Sequence, residues 1–257
     1  MIKAIFFDVD GTLISHKQNS VSEGTRTALK KLSDKGILRI VATGRHALEL
    51  AELPVRDIQF DASVLLNGQL CLDSEGNILS ENPISGRDKA QIIEMFQGSS
   101  VPIVLVEKDR LYINFVNEYV RWAQQAISTP VPDVGFYTGN EIYQAVAYVK
   151  KDEDEFLFQQ LPGCMITRWN DYGVDIVSSS GGKTAGIKEY LKISNIKQEE
   201  TMAFGDGEND MDMLKFVQIG VAMGNAETQV KEIADYVTAS VEDDGIAKAL
   251  AAYGIVE

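Results

Sequence analysis

The chain has 257 residues, a formal net charge of −14 and a hydrophobic content of 45%. This length suits one large domain, or a core domain that carries an inserted smaller one. A strongly acidic surface repels nucleic acid and anionic lipid, so we expect neither nucleic acid nor a membrane as a partner. No apolar run is long enough to span a bilayer and no signal peptide precedes the first strand, so we expect a cytoplasmic protein.

Cysteine and histidine contribute little to the functional interpretation. Cys71 and Cys164 lie far apart and form no CxxC pattern, which predicts two reduced, buried thiols rather than a disulfide or a zinc site. His16 and His46 have no triad-like surroundings in the sequence, so we expect both at the surface.

The N-terminal third alternates between strand and helix patterns. The short apolar run 2–7 indicates a buried parallel strand that ends at two acids. A helical period over 22–35 follows, with a serine cap before it and a glycine after it. A second strand over 37–42, a helix to about Leu53 and a third strand over 63–66 continue the alternation. This order predicts a doubly wound parallel α/β sheet.

The pattern changes in the middle of the chain, where an α+β arrangement is predicted from about 82 to 180. A hairpin over 69–79 precedes it. Within it we predict an antiparallel pair over 101–116, helices near 88–96, 118–127 and 152–160, and strands over 142–149 and 174–177. Inserted domains of this kind often act as lids over active sites, which is the role we expect here.

The α/β alternation resumes near residue 181 and completes the core domain, which we place at 1–81 and 181–257. A helix opens at Lys183, and a buried strand over 201–204 ends at Gly205-Asp206. The remaining predicted elements are a helix over 211–216, a strand over 218–222, and helices near 226–234 and 245–253.

Four polar motifs stand where a parallel sheet brings ligands together, at the carboxyl ends of strands or at helix starts. The first is the run Asp8-Val9-Asp10-Gly11-Thr12, directly after the first strand. Two carboxylates this close repel each other, and a divalent cation relieves that repulsion. Magnesium suits the site because it favours carboxylate oxygens and retains waters and phosphate oxygens as ligands.

The second and third motifs carry groups that suit a phosphoryl anion. Thr43-Gly44-Arg45 follows the second strand at a predicted helix start, where a hydroxyl and backbone N–H groups bind phosphate well. Gly181-Gly182-Lys183-Thr184 opens another helix, and its lysine can neutralise a transferring phosphoryl group. Either run alone is equally compatible with an ordinary capped helix.

The fourth motif is Gly205-Asp206-Gly207-Glu208-Asn209-Asp210, after a core strand. Its acids and amide between glycines predict a metal-binding loop, although a solvated acidic turn would have the same composition. The four motifs together supply paired acids, a hydroxyl, a lysine and a further metal ligand, which favours a phosphate-ester site.

Three other classes fit the sequence less well. A P-loop requires glycine five positions before Gly182, where Val177 stands, and an EF-hand requires glycine where Leu13 or Met211 stands. A phospho-accepting signalling domain combines similar acids, a threonine and a lysine, but it would leave the large insert unexplained. A phosphomutase, which passes the phosphoryl group to a sugar rather than to water, stays open as the alternative.

The order DVDGT, ATGR, GGK and GDGENDMDML resembles the haloacid dehalogenase superfamily of phosphohydrolases, and within it the Cof-type sugar phosphatases. Asn67-Gly68 is similar to the short segment that precedes the inserted cap in that group. The resemblance covers the core on both sides of the insert, while the insert matches in size and pattern. It implies a Rossmann-like core with an α+β cap and Mg²⁺ as the cofactor.

The resemblance also implies roles for individual residues. Asp8 is similar to the nucleophile and a metal ligand, and Asp10 to the general acid and base whose backbone carbonyl also binds metal. Thr43 and Lys183 resemble the groups that hold and neutralise the phosphoryl. The expected further metal residues are Asp206 and the supporting acid Asp210, and the expected substrate-binding residues are Thr12, Gly44, Arg45, Asn67 and Asn209.

The predicted activity is Mg-dependent hydrolysis of a small phosphate monoester, with a sugar phosphate as the expected class. An aspartyl-phosphate on Asp8 would divide the reaction into two easier steps. The expected partner is a small phosphorylated metabolite, and the sequence gives no oligomeric state.

Overall fold

A computed structural model describes residues 1–15, 17–126 and 129–256. The chain divides into two compact units. We call Met1–Glu81 with Gly182–Glu257 the core unit, and Asn82–Gly181 the inserted unit. Across the described ranges, no helix combines the length and the apolar character needed to cross a membrane. His16, which we expected at the surface, lies outside the described residues.

The strands and helices alternate along most of the chain. The strands are β1 Ala4–Phe7, β2 Leu38–Ala42, β3 Ala62–Leu65, β4 Leu70–Asp73, β5 Ile78–Glu81, β6 Ile103–Val106, β7 Leu111–Ile113, β8 Gln144–Tyr148, β9 Cys164–Arg168, β10 Gly173–Ser178, β11 Thr201–Gly205, β12 Ile219–Ala222 and β13 Tyr236–Val237. The α-helices are α1 Glu23–Asp34, α2 Ala47–Leu50, α3 Gly86–Gly98, α4 Glu118–Ala126, α5 Asp154–Gln160, α6 Lys183–Ser194, α7 Met211–Phe216, α8 Thr228–Ile233 and α9 Gly245–Ala252.

The core unit is built on a sheet with the order β13-β12-β11-β1-β2-β3-β4-β5. The strands from β13 to β3 pair in parallel, and β4 and β5 continue the sheet as an antiparallel hairpin. Because β11, β1 and β2 are neighbours, their carboxyl ends lie at one edge of the sheet. This arrangement confirms the doubly wound α/β core that the sequence predicts.

The central strand β1 is apolar throughout because helices cover both faces of the sheet. Ile5 and Phe7 belong to the cluster that includes residues of α1 and α9. Ala4 and Phe6 point to the opposite face and belong to the cluster that includes residues of α6, α7 and α8. The alternation of side chains along a strand therefore gives this unit two hydrophobic layers.

Helix α1 follows the sequence pattern closely. The Ser22 hydroxyl accepts a hydrogen bond from the Thr25 N–H and caps the helix. Ala28, Leu29 and Leu32 form its buried face at helical spacing. Gly36 follows the helix with a φ of 70°, as expected for a helix stop.

The inserted unit has an antiparallel sheet of the order β7-β6-β8-β10-β9. Its core combines residues of α3 and α5 with alternate residues of the sheet, such as Ile103, Leu105 and Ile176. The predicted helices and the antiparallel pair are present here, and Ile127, the predicted end of α4, lies outside the described residues.

Two strands and one helix end differ from the sequence predictions. Strand β9 is at the edge of its sheet and alternates between half-buried and exposed residues, so it lacks a strong apolar signal. Strand β13 has only two residues. Helix α2 ends at Leu50 rather than near Leu53, since the next residues form turns with i to i+3 hydrogen bonds, such as the Leu53 N–H to the Leu50 carbonyl.

The thiols partly match their prediction. Both cysteines are free, and Cys71 is buried, whereas Cys164 is only half-buried. Burial raises the pKa of the Cys164 thiol to about 12. Neither thiol is therefore ionised near neutral pH, in keeping with an inert, reduced state.

Candidate active site

The four sequence motifs meet within the core unit. Asp8 follows β1, Thr43 follows β2, Lys183 opens α6, and Asp206 follows β11. The Asp8 N–H donates to the Phe204 carbonyl at 3.0 Å, so the β1–β11 ladder continues to the nucleophile candidate itself. Sheet pairing, rather than sequence proximity, brings these residues to one place.

The first loop turns tightly at Gly11. This residue has a φ of 81°, and a Cβ atom on it would lie 2.1 Å from Asp206 Oδ2. Only glycine tolerates both the left-handed backbone and this close approach. The turn brings the Thr12 hydroxyl within 3.0 Å of Asp206 Oδ1, to which it donates a hydrogen bond. The first and fourth motifs are thus in direct contact.

Lys183 lies between two carboxylates. Its ammonium group donates to Asp8 Oδ1 and to Asp210 Oδ1, each at 2.6 Å. The lysine residue is 3% exposed, Asp8 is 6% exposed and Asp210 is fully buried. These values exclude the alternative of an exposed lysine in an ordinary helix cap.

This buried group has two carboxylates, Asp8 and Asp210, but only one ammonium group, that of Lys183. Burial and the negative charge of Asp210 raise the pKa of Asp8 to about 8, although Lys183 acts in the opposite direction. Burial alone would disfavour the charge of Lys183, but attraction to Asp210 and Asp8 raises the pKa of its ammonium group. Lys183 therefore stays charged, while Asp8 lacks enough positive charge around it to ionise easily.

Asp210 holds the backbone of the fourth motif through hydrogen bonds within the loop. Its Oδ2 accepts the N–H groups of Asp206 and Gly207, at 2.9 and 3.0 Å. With Oδ1 bound to Lys183, both of its oxygens are used. Asp210 therefore fixes the backbone that carries Asp206 and at the same time holds the lysine.

Asp8, Asp206 and Asp210 could hold a metal ion. Each offers a carboxylate oxygen, and these ligand atoms all lie within 4.8 Å of one another. Hard divalent cations prefer such oxygens. A cation would also supply the positive charge that Asp8 lacks. The residues present therefore fit a divalent cation.

Asp10 makes its contacts on the other side of the first loop. Its carboxylate forms a two-point ion pair with Arg45, with Nε–Oδ2 and Nη2–Oδ1 distances of 2.6 and 2.9 Å. Arg45 also lies 3.6 Å from Glu49. The side chain of Asp10 is about one-third exposed, at 34%, so a ligand can reach it.

The second motif differs from its prediction in one respect. Thr43 is buried, but it does not cap α2, because His46 is the N-cap and accepts the Leu48 N–H on Nδ1. His46 was expected at the surface, and this prediction was wrong, since the residue is 1% exposed. Its backbone N–H donates to the Glu49 carboxylate, which completes a capping box.

Asn67 connects three of the loops. Its N–H donates to the Thr43 carbonyl at 3.0 Å, and its carbonyl accepts the Gly182 N–H at 2.9 Å. Its side-chain oxygen accepts Asn209 Nδ2 at 3.4 Å. Leu66 and Asn67 both have left-handed backbones, with φ of 51° and 53°. Such strained residues are typical of functional sites.

Asn225 was missed by the sequence analysis. It follows β12, and its Nδ2 donates to the Gly11 carbonyl at 2.8 Å and to Asp206 Oδ2 at 3.2 Å. A signal was present, because Asn225 lies in the short gap between the predicted strand 218–222 and the predicted helix near 226–234, again at a strand's carboxyl end.

The geometry is that of a phosphate-ester site, and the likeness to known proteins agrees with it. The sequence profile of haloacid dehalogenase-like hydrolases matches residues 5–250. The chain belongs to this family. The resemblance that the four motifs predict is therefore confirmed, together with the assignment as a phosphatase-type hydrolase of the haloacid dehalogenase-like family.

Three relatives show how far the likeness extends. YkrA of Bacillus subtilis (strain 168) is 31% identical over 258 residues, which covers 99% of both chains. The structure of BT1666 from Bacteroides thetaiotaomicron, a phosphatase of the superfamily, has a TM-score of 0.88 at 32% identity and covers 100% of this chain and 96% of its own. The subclass IIB sugar phosphatase BT4131 has a TM-score of 0.82 at 33% identity, and the match covers 99% of this chain and 100% of its own.

Proposed function

We propose that this haloacid dehalogenase-like hydrolase cleaves a small phosphate monoester of the sugar phosphate class, with Mg²⁺ at the acidic cluster. The observation that carries the proposal is the buried Lys183 ammonium, 2.6 Å from both Asp8 and Asp210, with Asp206 beside them. A buried lysine next to a carboxylate of raised pKa is a typical catalytic arrangement. The likeness to the sugar phosphatase BT4131 supports the substrate class.

In the proposed first step, Asp8 attacks the phosphorus atom in line with the ester oxygen. A bond forms from the carboxylate oxygen to phosphorus, and the bond from phosphorus to the ester oxygen breaks. Asp10 gives its proton to the departing alkoxide, which leaves as an alcohol. Thr43 and Lys183 bind the phosphoryl oxygens, whose spread negative charge is the main demand of this reaction.

In the second step, water attacks the aspartyl-phosphate. Asp10 accepts a proton from this water, phosphate is released, and Asp8 returns to its carboxylate form. Arg45 donates to both oxygens of the Asp10 carboxylate, so Asp10 releases at least one of these bonds when it carries the proton that it delivers in the first step. We keep Arg45, Asn67, Asn209, Thr12 and Gly44 as predicted substrate-side residues.

The cation would be held by the carboxylates of Asp8 and Asp206, by the backbone carbonyl of Asp10, and with the support of Asp210. When bound, Mg²⁺ supplies positive charge that lets the anionic Asp8 approach an anionic ester. We further propose that the inserted unit is the cap that selects the substrate. The expected cytoplasmic location stays a prediction.

The test is phosphate release from a panel of esters, with and without MgCl₂. The panel holds sugar phosphates, nucleotides and a phosphoserine peptide. Wild type is compared with Asp8→Asn and with Asp212→Asn, a matched control at an exposed acid of α7. We expect Mg-dependent release from sugar phosphates in wild type and in the control, and a loss of at least about a hundredfold in Asp8→Asn.

Two results would contradict the proposal. Full activity of Asp8→Asn would exclude Asp8 as the nucleophile, and full activity in a chelator would exclude the metal. Isomerised sugar phosphate without free phosphate would instead identify the phosphomutase alternative.

A further inference from the structure

Asn225 stands beside the proposed metal site without belonging to any of the four motifs. It follows β12, which pairs with β11, and β11 in turn pairs with β1. The loops after these three neighbouring strands therefore begin at the same edge of the sheet. Asn225 brings an amide from the third of these loops to the other two.

Every polar atom of this amide has a partner of the right kind. Nδ2 donates to the Gly11 carbonyl at 2.8 Å and to Asp206 Oδ2 at 3.2 Å. Oδ1 accepts the Val241 N–H at 2.9 Å. An amide group, with two N–H donors and one acceptor, satisfies this set. Aspartate would have no donor for Gly11 or Asp206, and an apolar side chain would have neither donor nor acceptor.

The contact with Asp206 matters because of what holds the other oxygen of that carboxylate. Thr12 donates to Oδ1 at 3.0 Å, while Asn225 donates to Oδ2. The carboxylate is therefore held from two sides, by the first loop and by the loop after β12. Without the hydrogen bond from Asn225, the Asp206 carboxylate loses the donor that orients it from the side of Oδ2.

We propose that Asn225 is a positioning residue, which fixes the Asp206 carboxylate and the Gly11 turn for Mg²⁺ binding. The inference rests on the proposed function, because it takes Asp206 to be a metal ligand. Hydrogen-bond partners that orient metal ligands typically contribute about 10–100-fold in metal affinity or activity. Since Asn225 is exposed to solvent, we expect the lower end of that range.

The experiment measures Mg²⁺ binding directly, by calorimetric titration of MgCl₂ into the substrate-free protein. In Asn225→Leu and Asn225→Ala we expect the dissociation constant for Mg²⁺ to rise about tenfold. The half-saturating Mg²⁺ concentration for phosphate release should rise equally, while the KM for the ester at saturating Mg²⁺ changes little. Urea unfolding without Mg²⁺ reports separately on any general loss of stability.

A matched control separates orientation of Asp206 from anchoring of the segment around Val241. Ser240 donates to Asp243 Oδ2 at 2.7 Å, so Ser240→Ala loosens the same segment without removing a bond to Asp206. We expect unchanged Mg²⁺ affinity in this variant. Equal weakening in Ser240→Ala and in Asn225→Leu would overturn the proposal, because segment anchoring would then explain both.

The remaining outcomes separate this inference from the proposed function. Wild type that binds Mg²⁺, with Asn225→Leu of unchanged affinity, overturns the role of Asn225 alone. Wild type that binds no Mg²⁺, or Asp206→Asn that binds it as tightly as wild type, overturns the proposed metal site and this inference with it.

Discussion

Opposite surroundings distinguish two of the buried carboxylates, Glu107 in the inserted unit and Asp8 in the core unit. Glu107 of the inserted unit is 2% exposed, and Asp8 of the core unit is 6% exposed. Arg110 binds both oxygens of Glu107, at 2.7 and 2.9 Å, and Tyr112 and Asn140 donate to it at 2.6 and 2.7 Å. Asp8 accepts from Lys183, which it shares with Asp210.

The two pKa shifts follow from this difference. Burial would raise the pKa of Glu107, but its bonds from Arg110, Asn140 and Tyr112 outweigh burial and lower it. Burial and Asp210 raise the pKa of Asp8 to about 8. One acid is therefore satisfied by the protein and stabilises its unit. The other is left for ligands to satisfy, as expected where structure serves catalysis rather than stability.

The comparison predicts effects on the free energy of unfolding, and the largest is expected for Lys183→Met. Removing the lysine leaves Asp8 and Asp210 buried without their cation, which typically costs about 3–5 kcal/mol. Urea unfolding of the Mg-free protein measures this loss.

The control for this variant is Lys192→Met on the same helix. Lys192 pairs with Glu189 at the surface, where its side chain is 70% exposed. We expect a change of about 0.5 kcal/mol or less. If both lysine variants lose the same stability, Lys183 does not compensate the buried charges of Asp8 and Asp210 as the comparison requires.

The next largest effect on the free energy of unfolding is expected at Gly68, whose backbone packs against the residue before Lys183. Gly68 has a φ of 85°, and a Cβ atom on it would lie 2.1 Å from the Gly182 carbonyl, next to Lys183. Gly68→Ala should therefore cost about 2–4 kcal/mol, from a left-handed alanine and a backbone clash. It should also lower phosphate release, because α6 must shift.

Gly76 is a close match for this test. It has the same φ of 85°, but nothing lies within 4 Å of its Cβ position. Gly76→Ala should cost only about 1–2 kcal/mol, the price of the left-handed backbone. Equal losses in thermal or urea unfolding would show that the site does not depend on close packing at Gly68.

Glu107→Gln should have a smaller effect, about 1–2 kcal/mol near neutral pH, because a charged acceptor of several hydrogen bonds is replaced by a neutral one. The lowered pKa decides in which pH range Glu107 stabilises the folded protein. The contribution of Glu107 is present above its ordinary value of 4.5 and is lost as the pH falls through the lower folded value. Urea unfolding of both proteins should therefore converge in acid, and a difference that persists there would contradict the assignment.

Asp8→Asn should not lower stability, despite abolishing activity. A carboxylate of raised pKa favours the folded state in its protonated form, so wild type loses stability as the pH rises from 3.8 towards about 8. The Mg-free variant should therefore be at least as stable as wild type near neutral pH. Denaturation midpoints measured across this range test the claim, and a clear destabilisation by Asp8→Asn would break the comparison.

Much of this molecule follows from local pattern. Ile2–Phe7 and the run 201–204 predict buried strands, Ser22 predicts a helix start, and the four motifs at strand ends predict one shared site. These succeed because periodicity and capping are local properties. Strand β9 escaped prediction because an edge strand buries few side chains, and the capping role of His46 was missed because histidine is not among the preferred N-cap residues.

The sequence by itself determined the alternation of strands and helices, the family and the residue types of the site, because each depends on neighbours along the chain. Tertiary structure alone decided how charge is shared there. It placed Lys183 between Asp8 and Asp210, and it brought Asn225 to Asp206 across a neighbouring strand. Hydrogen bonds and electrostatic shifts depend on distances in space, which no spacing in the sequence encodes.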